Sequence, residues 1–135
     1  MLSKTAGALL LLAALSIGCG DSPAGPDGAE PFLGVWFSED PATRGITRVQ
    51  IVRQNANVVV RMWGACVPDP CDWGTVNAPA SSTNDGTLDL TWNQSFAIVT
   101  QRLTITGARL LVDGFTRFVD NSGRANYSST EYFIK

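Results

Sequence analysis

Apolar and polar residues alternate one for one through much of this chain, and that two-residue period leaves little choice of secondary structure. In Thr87-Leu88-Asp89-Leu90-Thr91-Trp92 the two leucines and the tryptophan fall on one side and the polar residues on the other. A strand sends successive side chains to opposite faces, so this spacing buries one face and wets the other. The period recurs over 58–63, where Val58, Val60 and Met62 oppose Val59, Arg61 and Trp63. It recurs over 46–53, where Thr47, Val49 and Ile51 oppose Arg48 and Gln50, and over 96–106, where Ala97, Val99, Leu103 and Ile105 share a side. Turn formers separate these runs: Asn55-Ala56-Asn57, Asn84-Asp85-Gly86, Gly107 and Asp120-Asn121-Ser122-Gly123. The pattern predicts strands over 32–38, 46–53, 58–63, 72–77, 87–92, 96–106, 108–119 and 127–134, with a small polar loop over 78–85. No stretch beyond Pro31 carries a helical period.

Short connections make neighbouring strands antiparallel. Eight antiparallel strands in sequence order suit an up-and-down barrel, which removes exposed edges; a β-sandwich is the alternative. The interior of such a barrel is either filled by side chains or holds one small ligand.

The first residues read as a processing signal. Lys4 supplies a positive start, and 6–15 is an apolar run too short to span a bilayer as a stable helix. The run ends in Leu15-Ser16-Ile17-Gly18-Cys19, which resembles the lipobox of bacterial lipoproteins, with Ser16 where Leu is commonest. The resemblance implies a signal peptide over 1–18 and a diacylglycerol on Cys19. The stretch 19–31 is small, polar and rich in Pro and Gly, and reads as a flexible, lipidated tether. Residues 32–135 then form the β-barrel domain, about 100 residues and long enough for one sizeable core. Gly20 rather than Asp after the cysteine resembles sorting to the outer membrane in a cell with two membranes. The expected location is the bacterial cell envelope, with the membrane reached through the N-terminal lipid.

The chain holds 3 cysteines, an odd number for an exported protein unless one is acylated. Setting Cys19 aside leaves Cys66 and Cys71 around Val67-Pro68-Asp69-Pro70. The prolines forbid a regular strand there, and an oxidising compartment favours a disulfide closing the loop. Two thiols without histidine are too few ligands for a metal, and redox pairs use a shorter spacing.

Composition narrows function by subtraction. The chain has no histidine, 10 basic and 12 acidic residues. Histidine-based triads and the usual zinc sites are excluded, and there is no basic surplus for nucleic acid. The carboxylate pairs Glu39 and Asp40, Asp69 and Asp72, and Asp85 and Asp89 sit in or beside turns, where solvated turn chemistry explains them. Asn84, Asp85 and Asp89 lack the loop pattern of calcium motifs. The expectation is therefore no enzyme, no metal and no cofactor.

Gly34-Val35-Trp36 opens the first strand, and in this it resembles the calycin barrels, the lipocalin and avidin-like group, which begin with Gly-x-Trp. The resemblance implies that Trp36 closes one barrel end, against an arginine such as Arg117 or Arg124. No helix follows the last predicted strand, which is nearer to avidin-like and bacterial inhibitor barrels than to lipocalins. Trp36, Arg61, Trp63, Trp73 and Trp92 are the candidate ligand-binding residues, since tryptophan and arginine together suit sugars, aromatic ligands and interfaces. Arg61 with Trp63 also suits a plain cation–π pair on the wall. The segments 44–48, 71–75 and 121–127 are polar-aromatic and adjoin turns, so they are candidates for one barrel mouth. Phe96 and Phe115 are candidates for outward faces. Two partner classes follow: a small apolar, aromatic or sugar ligand, or an envelope protein met through surface loops as by protease-inhibitor barrels.

Lipidation is directly testable. Expressed in a bacterium with labelled palmitate, the full chain should take up label at Cys19; an unlabelled, soluble product with Cys19 intact would overturn the lipoprotein reading.

Overall fold

The computed structural model describes residues 27–135. The signal peptide over 1–18, lipidation at Cys19 and the tether as far as 26 lie outside the described residues. Eight strands form one sheet: β1 (Gly34–Ser38), β2 (Ile46–Gln54), β3 (Asn57–Gly64), β4 (Cys71–Pro79), β5 (Thr87–Asn93), β6 (Ala97–Thr106), β7 (Arg109–Phe118) and β8 (Tyr127–Ile134). All ladders are antiparallel. The strand order is β4-β3-β2-β1-β8-β7-β6-β5, so the sheet curls into a nearly closed barrel. This is the expected all-β architecture, and it is consistent with a calycin-like barrel.

The unladdered seam lies between β4 and β5, neighbours in sequence, rather than between the first strand and the last. A 3-10 turn, Ala80–Thr83, replaces the tight hairpin there, within the stretch expected to be a loop. The edge-on packing of Trp73 on Trp92, with centroids 5.7 Å apart at 79°, spans the gap. On the other side, β1 joins β8 through only Phe37 with Ile134 and Ser38 with Phe133.

The strand periods are as expected, with one difference. A register shift between Ile46 and Arg48 breaks the β2 alternation, so Ile46, Val49 and Ile51 are buried. Thr47 sits at the irregularity and its hydroxyl donates to the Trp63 carbonyl at 3.1 Å. An extra residue in one strand shifts the facing of what precedes it. Strand β4 is also longer than expected, reaching Pro79 at its end, where a missing N–H costs least.

One end of the barrel is plugged. The segment 27–31, expected to be tether, folds: a 3-10 turn over Glu30–Phe32 buries Ala29 and Phe32 under the barrel. The Trp36 indole N–H donates to the Phe32 carbonyl at 2.8 Å, which satisfies the one polar atom of a buried ring. Trp36 thus closes this end, as the resemblance implied. Its cation is Lys135, whose Nζ lies 4.6 Å from the ring centroid; Arg117 is exposed and Arg124 belongs to the opposite end. Gly28 N–H donates to Asn84 Oδ1 at 3.1 Å, and Arg53 forks onto Asp27 at 2.8 and 2.9 Å. Above the plug, Val49, Ile51, Val58, Val60, Met62, Leu88, Leu103, Leu110, Val112 and Phe133 fill the interior with side chains at most 1% exposed.

The Arg53 hydrogen bonds, then the Ala29 N–H, lower the Asp27 pKa from 3.8 to about 2. A depressed carboxyl contributes stability above its unfolded value and loses it as pH falls through its folded value. The melting temperature should therefore fall as pH drops from 3.8 toward about 2. Asp27→Asn should flatten part of that fall, measured by circular dichroism melts across the window. An identical slope in the variant would mean that Arg53 does not hold residue 27 to the barrel.

Candidate functional site

The other end is open, and there the inward-facing positions change character. Toward this end β6 runs Leu103, Gln101, Val99; β7 runs Val112, Gly114, Thr116; β8 runs Phe133, Glu131, Ser129. An apolar core thus gives way to a cup of mixed polar and apolar lining, about 580 Å³ in volume. That lies within the size range of small-molecule sites. Gln101 and Thr116 are 5% and 8% exposed, yet both line it.

The polar groups are held in place. Trp92 Nε1–H donates to Gln101 Oε1 at 2.8 Å. An indole nitrogen only donates, so the amide oxygen must face the ring and the Gln101 NH₂ is left for the cavity. Glu131 receives the Thr43 hydroxyl at 3.1 Å and the Ile46 N–H at 3.3 Å. Gly45 leaves room for it, since a Cβ there would collide with Glu131 Oε1. These bonds cross from β8 to the start of β2 where the short β1 has run out. Among the described residues no arginine or lysine forms an ion pair with Glu131.

Trp73 on β4 and, from other parts of the wall, Phe118 on β7 and Tyr127 on β8 contribute aromatic side chains to the cup, and Cys66 and Cys71 lie on its rim. The disulfide joins them with a Cα–Cα distance of 5.4 Å, as the spacing led us to expect. Rim loops are tied to one another by Ala65 N–H to Gly45 O at 2.8 Å and Val119 N–H to Phe96 O at 2.9 Å. Arg124 lies 4.1 Å from the Phe118 centroid and pairs with Asp120 at 2.6 Å. That pairing, after the Ser122 hydrogen bond, helps lower the Asp120 pKa to about 2.

The expected mouth segments do converge: Arg44, Gly45 and Ile46, then Cys71, Asp72 and Trp73, then Arg124 and Tyr127 all line this one cavity. Of the five candidate binding residues, Trp73 lines the cup and Trp92 stands behind it, orienting Gln101. Trp36 belongs to the plugged end and does not reach the cavity. Arg61 and Trp63 lie on the outer wall: Arg48 and Arg61 flank the Trp63 ring at 3.7 and 5.0 Å. Arg61 also forks onto Asp72, and this, with the Gly74 N–H, lowers the Asp72 pKa to about 2. The cation–π pair on the wall is thus the arrangement observed.

Of the other carboxylates singled out in turns, Glu39, Asp40, Asp85 and Asp89 are similarly engaged. Asp85 accepts from the Thr87 N–H and hydroxyl, Asp89 pairs with Arg102 at 2.8 Å, and Glu39 pairs with Arg109 at 2.7 Å. No group of three His, Cys, Asp or Glu side chains is placed for a metal among the described residues. Phe96 and Phe115 are exposed, as expected. Gln101, Thr116, Ser129 and Glu131 went unread in the sequence. Their signal was a polar residue at an inward phase, as Gln101 stands between Val99 and Leu103.

Comparison with known proteins finds no matching family model, no matching curated protein and no matching solved structure.

Glu131 should carry measurable stability. Glu131→Ala removes the acceptor for a strand N–H and should lower unfolding free energy by about 2 kcal/mol in urea denaturation, with Glu131→Gln costing less. Equal stability of all three proteins would remove Glu131 as the bridge between β8 and β2.

Proposed function

We propose that this protein is a non-catalytic binding barrel of the calycin type, held at the bacterial cell envelope by a lipid on Cys19, and that it takes a small ligand in its open end. The observation that carries this reading is the cavity of about 580 Å³ above an otherwise filled barrel. One end is plugged and the apolar half is packed, so the cup is the recess that enters the barrel interior, whereas the grooves beside Arg109 and over Gly114 lie more openly on its surface. A tether would present that cup to molecules at a membrane face. The chemistry of the site also supports binding: histidine is absent, and Lys135 lies against Trp36 at the far end.

A second reading has its own support. Val67, in the disulfide loop, is 97% exposed, and Phe96 and Tyr127 are 42% and 52% exposed around the same rim. Apolar side chains held out on loops suit a protein partner, as in an inhibitor module.

Residues 20–135 retain every contact described above and suit a direct test. Against a panel of small apolar, aromatic and sugar ligands, one should quench or shift tryptophan emission saturably and raise the melting temperature. A ligand at a hundred times its dissociation constant adds about 2.7 kcal/mol. Trp73→Leu should abolish the effect in a variant that still melts cooperatively. Absence of any shift, with specific capture of one envelope protein that Val67→Asp abolishes, would transfer the assignment to the second reading. Turnover of a ligand would overturn both.

A further inference from the structure

We infer that the ligand of the open cup is a saccharide, with its hydroxyl groups on Gln101, Thr116, Ser129 and Glu131 and one face of the sugar ring against Trp73. The inference rests on the binding reading above and specifies its chemistry. Gln101 and Thr116 are more than nine-tenths buried, yet among the described residues no hydrogen bond engages the Gln101 NH₂ or the Thr116 hydroxyl. The Ser129 hydroxyl is likewise free of a described partner and lines the same cavity. No buried side-chain nitrogen or oxygen is left without a partner among the described residues, so these atoms keep solvent access, and water can satisfy them until a ligand replaces it.

The backbone builds this floor. Gln101 pairs with Gly114 across β6 and β7, and Gly114 pairs with Ser129 across β7 and β8. A Cβ on Gly114 would stand 2.9 Å from Ser129 Oγ and 3.6 Å from Gln101 Cγ. The glycine therefore keeps open the space between the two polar side chains. Trp92 fixes the Gln101 amide from behind, so its donors are aimed before any ligand arrives.

The set of groups selects among ligand classes. The floor offers donors from the amide, acceptors from the Glu131 carboxylate, and hydroxyls that do both. A matching ligand needs adjacent groups that both donate and accept, together with an apolar face for Trp73. A pyranose has both. A fatty or purely aromatic ligand would strip water from Gln101 and Thr116 without replacing its hydrogen bonds. It would also find the apolar half of the barrel already filled. An anion at the floor would meet the Glu131 carboxylate, and of the two arginines on the rim Arg124 is already paired with Asp120, which leaves Arg44.

The four tryptophans make the test local. Trp73 lines the cup, Trp92 backs it, Trp63 is on the outer wall and Trp36 is in the plug. Titrate ¹⁵N-labelled residues 20–135 with glucose, N-acetylglucosamine, maltose and cellobiose, and separately with indole and anilinonaphthalene sulfonate, following the indole N–H signals. The expected result is saturable movement of the Trp73 and Trp92 signals with at least one sugar, while Trp36 and Trp63 stay. Thr116→Val and Ser129→Ala should each weaken that sugar about fivefold to tenfold, and Gly114→Ala should weaken it too. Unmoved Trp36 and Trp63 signals in each variant report that the barrel is folded. Movement with indole or the sulfonate but with no sugar overturns the saccharide assignment and leaves the cavity a binding site. Silence from both panels overturns the binding reading as well. Sugar binding that all three variants leave unchanged overturns the floor assigned here.

Discussion

The shortness of β1 is the constraint on which the rest of the structure depends. Its five residues carry the ladder between β2 and β8 through only part of the barrel's height. In that half the wall is hydrogen-bonded, the interior is apolar, and Phe32 and Trp36 close the end. In the other half the wall between β8 and β2 has no intervening strand. A buried backbone N–H left without a partner is costly, so the Ile46 N–H needs an acceptor from elsewhere. Glu131 supplies it, braced by Thr43, and a charged side chain inside a barrel thereby becomes structural.

The opposite wall solves a similar problem with different chemistry. Strands β4 and β5 have no ladder between them, and two indoles pack edge to face across the seam. Trp92 then does a second thing: its N–H turns Gln101 toward the cavity. The two incomplete parts of the wall thus lie on either side of the cup and contribute to its lining. Cavity and closure are linked, because the side chains that replace missing strand pairing are polar or amphipathic and face inward.

Much of the fold was legible because alternation is a local signal. Leu88, Leu90 and Trp92 face inward for the reason visible in the sequence, and the β2–β3, β6–β7 and β7–β8 hairpins fall at turns marked by Asn, Gly and Asp in the sequence. Local signals failed where a nonlocal contact decided the outcome. Residues 27–31 are small and polar, with every mark of a linker, but Ala29 is buried against the barrel and Asp27 meets Arg53. The facing of Ile46 depended on an irregularity that no residue type announces. The candidate tryptophans were chosen by chemistry, and chemistry alone does not say which end of a barrel a residue occupies. Trp36 and Trp73 carry the same side chain but lie at opposite ends of the barrel.

What the sequence by itself determined was the all-β architecture, its antiparallel hairpins, the disulfide between Cys66 and Cys71 and the exclusion of histidine chemistry. Each depends on residues close together in the chain, or on composition, where two-residue periods, turn formers and loop length act directly. Tertiary structure alone decided where the barrel would be left open and what would line the opening. Strands β6 and β7 each contribute one polar inward position, Gln101 and Thr116, and β8 contributes two, Ser129 and Glu131; each reads as a lapse in an otherwise apolar face. Only the register that sets Gln101 beside Gly114 and Gly114 beside Ser129 gathers those lapses onto one floor. Register is a property of strand pairs, set by the whole barrel's closure, and no single strand carries it.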